Sequence, residues 1–82
     1  MNNKRIAVAA IVIDEQPASI EVNRVLHEHS DIIIGRMGIP YRERGISLIS
    51  VAIDAEPDVI SSLTGRLGQI PGVSVKAAIS KK

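Results

Sequence analysis

The feature that most restricts this chain is a repeat at an offset of 40 residues. Ile13-Asp14-Glu15-Gln16-Pro17 lines up with Ile53-Asp54-Ala55-Glu56-Pro57, both reading I-D-x-[Q/E]-P. Further on, Ile20 meets Ile60, Ile33 meets Val73 and Arg36 meets Lys76. Each copy runs through the same order: a β-branched apolar stretch, an acidic turn with proline, an amphipathic stretch and a second β-branched stretch. A small domain built from two such units has few topologies open to it.

The physics of each copy agrees with that order. Pro17 and Pro57 fit the first turn of a helix, where the missing N–H has no partner to lose. Asp14 and Glu15, and in the second copy Glu56 and Asp58, lie near the positive end of the helix dipole. Val59, Ile60, Leu63 and Leu67 fall at the spacing of one buried helix face, and Gly68 with Pro71-Gly72 stops that helix. Val22, Val25, Leu26 and His29 trace a weaker stripe on the first helix, which exits at Ser30-Asp31. The reading is strands at about 5–13, 32–39, 46–53 and 73–79, with helices at about 17–29 and 57–68. It makes residues 1–82 one domain, an α+β, ferredoxin-like βαββαβ fold. Right-handed crossovers then predict a four-stranded antiparallel sheet in the order 4-1-3-2, with both helices on one face.

On this reading Ile49, Val51 and Ile53 face the helices, together with Val73, Val75, Ala77 and Ile79. The opposite face is unusual. An antiparallel sheet with one wet side alternates to polar residues, yet the first strand is apolar on both sides. Ile6, Val8 and Ala10 of the first strand share the outer face with Ile46, Leu48 and Ala52 of the third. A contiguous apolar face on a chain of 82 residues, whose core alone is marginal, marks a protein–protein contact. These six residues are the candidate interface of a homodimer or homotetramer.

The stretch GRMGIPYRERG, residues 35–45, is the candidate ligand site. It holds three of the ten basic residues, three of the six glycines and the single aromatic residue. Arg36, Arg42 and Arg44 supply fork-shaped donors for a carboxylate or phosphate. Gly35 and Gly38 shape the backbone and allow close approach. Met37 adds apolar lining, and Tyr41 a flat face with a polar tip. Read this way, the stretch connects strands two and three and contacts a small anionic ligand.

Other functions are set aside by what the chain lacks. A formal charge of +1 supplies no general field for nucleic acid or an anionic membrane. RNA readers of this topology stack bases on strand aromatics, and this chain has no Phe or Trp. The apolar run Ile6–Ile13, preceded by Lys4 and Arg5, ends at Asp14-Glu15 with no cleavage site of small residues. It is also far short of the roughly 20 residues that span a bilayer. A cytoplasmic protein without membrane contact is expected. There are no cysteines, which removes disulfides and thiolate ligands. His27 and His29 are the remaining metal candidates, but positions i and i+2 of a helix point about 200° apart, so one ion would need ligands from neighbouring subunits. No catalytic motif is present, and no cofactor or enzyme activity is expected.

With VNRVLHEHSD before it and LTGRLGQIPGVSVK after it, the run GRMGIPYRERG-x-S-x-I-S-V resembles the small regulators associated with the iron-only hydrogenase system, over nearly the whole chain. More distantly the chain is similar to ACT-type regulatory modules and to the C-terminal domain of the nickel-responsive repressor. The resemblance implies an ACT-like sheet, self-association and ligand-linked regulation. ACT modules that bind amino acids present a glycine at the start of the first helix; Glu15-Gln16-Pro17-Ala18-Ser19 has none, which argues against an amino-acid ligand. The few residues ahead of the first strand hold no DNA-reading helix, and the nickel repressor's metal site uses a cysteine. Autonomous DNA or RNA binding is therefore not expected. The leading expectation is a non-enzymatic, homo-oligomeric sensing or regulatory module. The alternatives are a protein–protein adaptor in hydrogenase maturation and a transition-metal sensor with interface histidines.

Overall fold

The computed structural model describes residues 3–82. The chain runs β1 (Arg5–Ile13), α1 (Ala18–Glu28), β2 (Ile33–Tyr41), β3 (Ile46–Ala55), α2 (Pro57–Gly68) and β4 (Val73–Ile79). The four strands form one antiparallel sheet in the order β2-β3-β1-β4, the order expected from the repeat. In register, Ile13 sits opposite Ser47 and Val73, and Ala7 opposite Ile53 and Ile79.

One face of β1 and β3 (Ala7, Ala9, Ile11 and Ile13 with Ile49, Val51, Ile53 and Ala55) packs against Ala18, Val22, Val25 and Leu26 of α1 and Ile60, Leu63 and Leu67 of α2. The period of two in the strands and of 3.6 in the helices puts these side chains on facing surfaces. The core is entirely aliphatic, and among the described residues no polar or charged side chain is buried.

Several boundaries differ from the sequence reading. β2 continues to Tyr41, so the connection to β3 shrinks to a 3-10 turn, Arg42–Arg44, closed by Gly45 at φ 65°. The strand passes through Pro40 because β2 is an edge, where a missing N–H costs no ladder bond. A register shift between Ile33 and Gly35 inserts Ile34 as a bulge and sets the facing of the residues that follow. β3 likewise extends to Ala55. Pro17 stands just before α1 and His29 caps its end, whereas Pro57 opens α2 as expected.

The burial expected along β4 holds for half of the strand. Val73 and Val75 pack against the core, but Ala77 and Ile79 are exposed on this edge strand. Val59 is also largely exposed, leaving Ile60, Leu63 and Leu67 as the buried face of α2. The two halves match in their strands but slip between turn and helix: Ile60 is buried, while its counterpart Ile20 is exposed. Residues Asp14 to Pro17 separate β1 from α1, whereas Glu56 alone separates β3 from α2. The helices therefore start at different phases.

Candidate functional site

Because β2 is a strand, its side chains alternate between two environments. Gly35, Met37, Ile39 and Tyr41 pair with Ala52, Ser50, Leu48 and Ile46, on the face away from the helices. Arg36, Gly38 and Pro40 pair with Val51, Ile49 and Ser47, on the helix side. The seven sequence-derived ligand candidates thus divide three ways. Arg36 and Gly38 lie together on the helix side. Gly35, Met37 and Tyr41 lie on the open face. Arg42 and Arg44 stand exposed in the turn, where the Tyr41 hydroxyl points to Glu43 Oε2 at 3.4 Å.

On the helix side α1 leaves part of edge strand β2 uncovered, and a groove of about 240 Å³ opens there. Ser19 and Asn23 form one wall, Arg36, Gly38 and Pro40 the other, and Ile13, Ser47 and Ile49 lie between. Arg36 Nη2 donates to Asn23 Oδ1 at 2.6 Å. Asn23 Nδ2 donates to the Ser19 carbonyl at 2.8 Å, and Ser19 Oγ donates to the Gln16 carbonyl at 2.7 Å. Gln16 Nε2 then reaches the Gly45 carbonyl at 3.1 Å and Ser47 Oγ at 3.4 Å. A chain of hydrogen bonds therefore runs along the start of α1, from the strand to the turn that ends it. Among the described residues no ion pair includes Arg36, and its hydrogen-bond partner is neutral.

Nothing in the sequence marks Gln16, Ser19, Asn23 and Ser47 as site residues. The spacing of Ser19 and Asn23 places them on one side of a helix, but nothing local says which strand that side faces.

The open face carries the candidate interface. Ile6, Val8 and Leu48 are 47%, 46% and 41% exposed, and Met37 is 65% exposed beside them. Ala10 is exposed, and Ile46 and Ala52 are half-buried. Met37 stands between two depressions: one of about 220 Å³ bordered by Val12, Ile39 and Leu48, the other of about 260 Å³ bordered by Val8, Gly35 and Ala52.

His27 is exposed on α1. His29 is half-buried, and its Nδ1–H donates to the Val25 carbonyl at 2.8 Å while its backbone N–H donates to Leu26. The second imidazole thus closes the helix end. Among the described residues no three His, Asp or Glu side chains come together as a metal-holding cluster. Across the helix surface, Arg24 pairs with Glu21 and Glu28, and Glu28 also with Arg66, which joins α1 to α2. The hydrogen bond from Arg24 lowers the Glu21 carboxyl from its ordinary value, and that from Arg66 lowers Glu28.

This architecture, two helices on one face of a four-stranded antiparallel sheet, defines a small ferredoxin-like α+β domain. The C-terminal domain of MgtC from Mycobacterium tuberculosis shares it at a TM-score of 0.75 and 12% identity, over 99% of this chain and 93% of that one. A formyltetrahydrofolate deformylase from Pseudomonas putida KT2440 contains a similar domain (TM-score 0.61, 16% identity, 89% of this chain but 28% of that one). Both likenesses concern the fold alone. The chain belongs to the family described as "TM1266-like: Iron-only hydrogenase system regulator, putative", which matches residues 5–77. It is 39% identical to the uncharacterized protein TM1266 from Thermotoga maritima, whose structure superimposes at a TM-score of 0.90 over 95% of this chain and 99% of that one. Among curated proteins, none matches. No helix of the described residues is long and apolar enough to cross a membrane.

Proposed function

We propose that this chain is a non-enzymatic regulatory module of the iron-only hydrogenase system that works as a homo-oligomer and responds to a small ligand. The observation that carries the reading is the bare sheet face. Ile6, Val8, Met37 and Leu48 stand exposed on a single surface, and a small domain with a marginal core gains stability by covering such a surface. The description of the family as a regulator supports a role in control. The uncovered groove beside Arg36 supports a ligand-responsive one.

Sedimentation velocity at micromolar concentration, paired with a thermal-shift screen of metabolites, tests both parts. Dimers or tetramers, and at least one metabolite that raises the melting temperature, are expected. Monomers throughout the micromolar range would remove the homo-oligomeric reading. If no metabolite stabilises the protein and a hydrogenase-system protein is captured stoichiometrically, the chain is an adaptor instead.

A further inference from the structure

We propose that the groove between α1 and β2 binds a small monocarboxylate with a short aliphatic tail. The carboxylate sits on Arg36, and the tail lies over Gly38 against Pro40 and the accessible edge of Ile49. The proposal rests on the ligand-responsive part of the function above and names the chemistry of its site.

Three observations point to this class of ligand. The first is charge. Arg36 is the one cation lining the groove, no acidic side chain lines it, and its guanidinium is steadied by the neutral Asn23. Its positive charge is thus held in place without being cancelled. A guanidinium fork matches one carboxylate in two parallel hydrogen bonds. A phosphate dianion would find no second cation, and a zwitterionic amino acid would bring an ammonium with no carboxylate to receive it.

The second is space. Gly38 has no positive φ, and a Cβ built on it would meet only Leu48 O at 3.9 Å and Ile49 Cγ1 at 4.0 Å. Neither backbone geometry nor crowding requires glycine there, although glycine weakens a strand interior. The missing side chain leaves the floor of the groove open. The third is size and lining. The groove is shallow and open, and about 240 Å³ suits a small organic molecule rather than a nucleotide-sized one. Its walls beyond Arg36, Asn23 and the serines are aliphatic, which suits a branched chain of five or six carbons.

The test is an amide-resolved NMR titration of the full chain with sodium 4-methylpentanoate, with its neutral amide, leucine and inorganic phosphate as comparison probes. Saturable shifts at Ser19, Asn23, Gly38 and Ser47 with the carboxylate alone are expected. Arg36→Gln should weaken binding roughly tenfold or more, the usual consequence of losing a charge-assisted contact. Gly38→Leu, which fills the floor, should abolish binding, and Gly38→Ala should reduce it while the spectrum stays folded. Equal binding of the amide or of phosphate would overturn the assignment, as would an unaltered affinity in Arg36→Gln. A metabolite that stabilises the protein but shifts resonances elsewhere would overturn the groove and leave ligand response standing; the absence of any stabilising metabolite would remove both.

Discussion

Arg36 on edge strand β2 donates from Nη2 to Asn23 Oδ1 on α1 at 2.6 Å, while the Nδ2 of the same amide donates to the Ser19 carbonyl. The second bond fixes which end of the amide faces the arginine, since only the oxygen can accept. Asn23 therefore orients the guanidinium without neutralising it. Both side chains are exposed, and a hydrogen bond of this kind contributes on the order of 0.5–1.5 kcal/mol. Arg36→Ala should accordingly lower the thermal midpoint by about 2–12 °C while weakening carboxylate binding roughly tenfold or more. A double-mutant cycle with Asn23→Ala should give a coupling below about 1.5 kcal/mol. A fall of tens of degrees in Arg36→Ala would make the arginine a structural strut.

A second prediction concerns the backbone at Gly72, which adopts φ 83° and whose carbonyl accepts from Asp14 N–H at 2.7 Å, joining the exit of β1 to the entry of β4. A Cβ at this position would come within 3.0 Å of Glu15 Cβ and Cγ. Gly72→Ala thus combines a left-handed backbone penalty of about 1–2 kcal/mol with crowding of about 1–3 kcal/mol. Gly45 is also left-handed, at φ 65°, but nothing lies within 4 Å of its Cβ position. Gly45→Ala should carry the first penalty alone. For a domain of this size each kcal/mol lowers the melting temperature by about 4–8 °C. Calorimetry should therefore find Gly72→Ala clearly the less stable of the two, and equal midpoints would remove the crowding argument.

These particulars show where the sequence was informative. Element order and strand order follow from the I-D-x-[Q/E]-P repeat, and the buried rows of β1 and β3 follow from alternation, because those features are set locally and by handedness. The sequence reading ends strand two at Ile39 because proline usually punctuates a strand. Its edge position, which the strand order already implies, is what lets the strand run through Pro40 to Tyr41. The Arg36–Asn23 bond depends on how α1 is rotated above β2. Ile20, exposed where Ile60 is buried, shows that this phase does not transfer from one half to the other. The convergence of Arg36 with Ser19 and Asn23, and its separation from Arg42 and Arg44, had no local signal.

Acid should loosen the helical surface. The Glu21 carboxyl is held below its ordinary value of 4.5 chiefly by the hydrogen bond from Arg24, and Glu28 chiefly by that from Arg66 with Arg24 adding attraction. A carboxylate whose folded value is depressed binds protons more tightly when unfolded. Its contribution is complete above about pH 4.5 and is lost as pH falls through the lower, folded value. All four side chains are roughly half exposed, so salt screens the effect. Thermal melts should show a midpoint that is level above pH 5 and declines below it, and Glu28→Gln should flatten the decline, most visibly at low ionic strength. A decline unchanged in Glu28→Gln, Glu21→Gln and the double variant would assign acid sensitivity to other carboxylates.

The bare sheet face gives a prediction with a built-in control. Val8 and Leu48 are roughly half exposed on that face, whereas Ile20 is 78% exposed on α1. At a two-fold interface each substitution is felt twice. Losing the remaining apolar burial of Val8 removes about 1 kcal/mol per copy, and so weakens a dimer roughly thirtyfold. Placing an unpaired lysine there adds a desolvation cost. Val8→Lys and Leu48→Lys should therefore shift sedimentation toward the monomer, while Ile20→Lys, the same change of chemistry on a helix, leaves association untouched. Because both sheet positions already reach solvent in the single chain, the monomers should remain folded, with their amide spectra dispersed. If Ile20→Lys breaks the assembly and the two sheet substitutions do not, the copies meet through α1, and the apolar sheet face must be assigned to a different occupant.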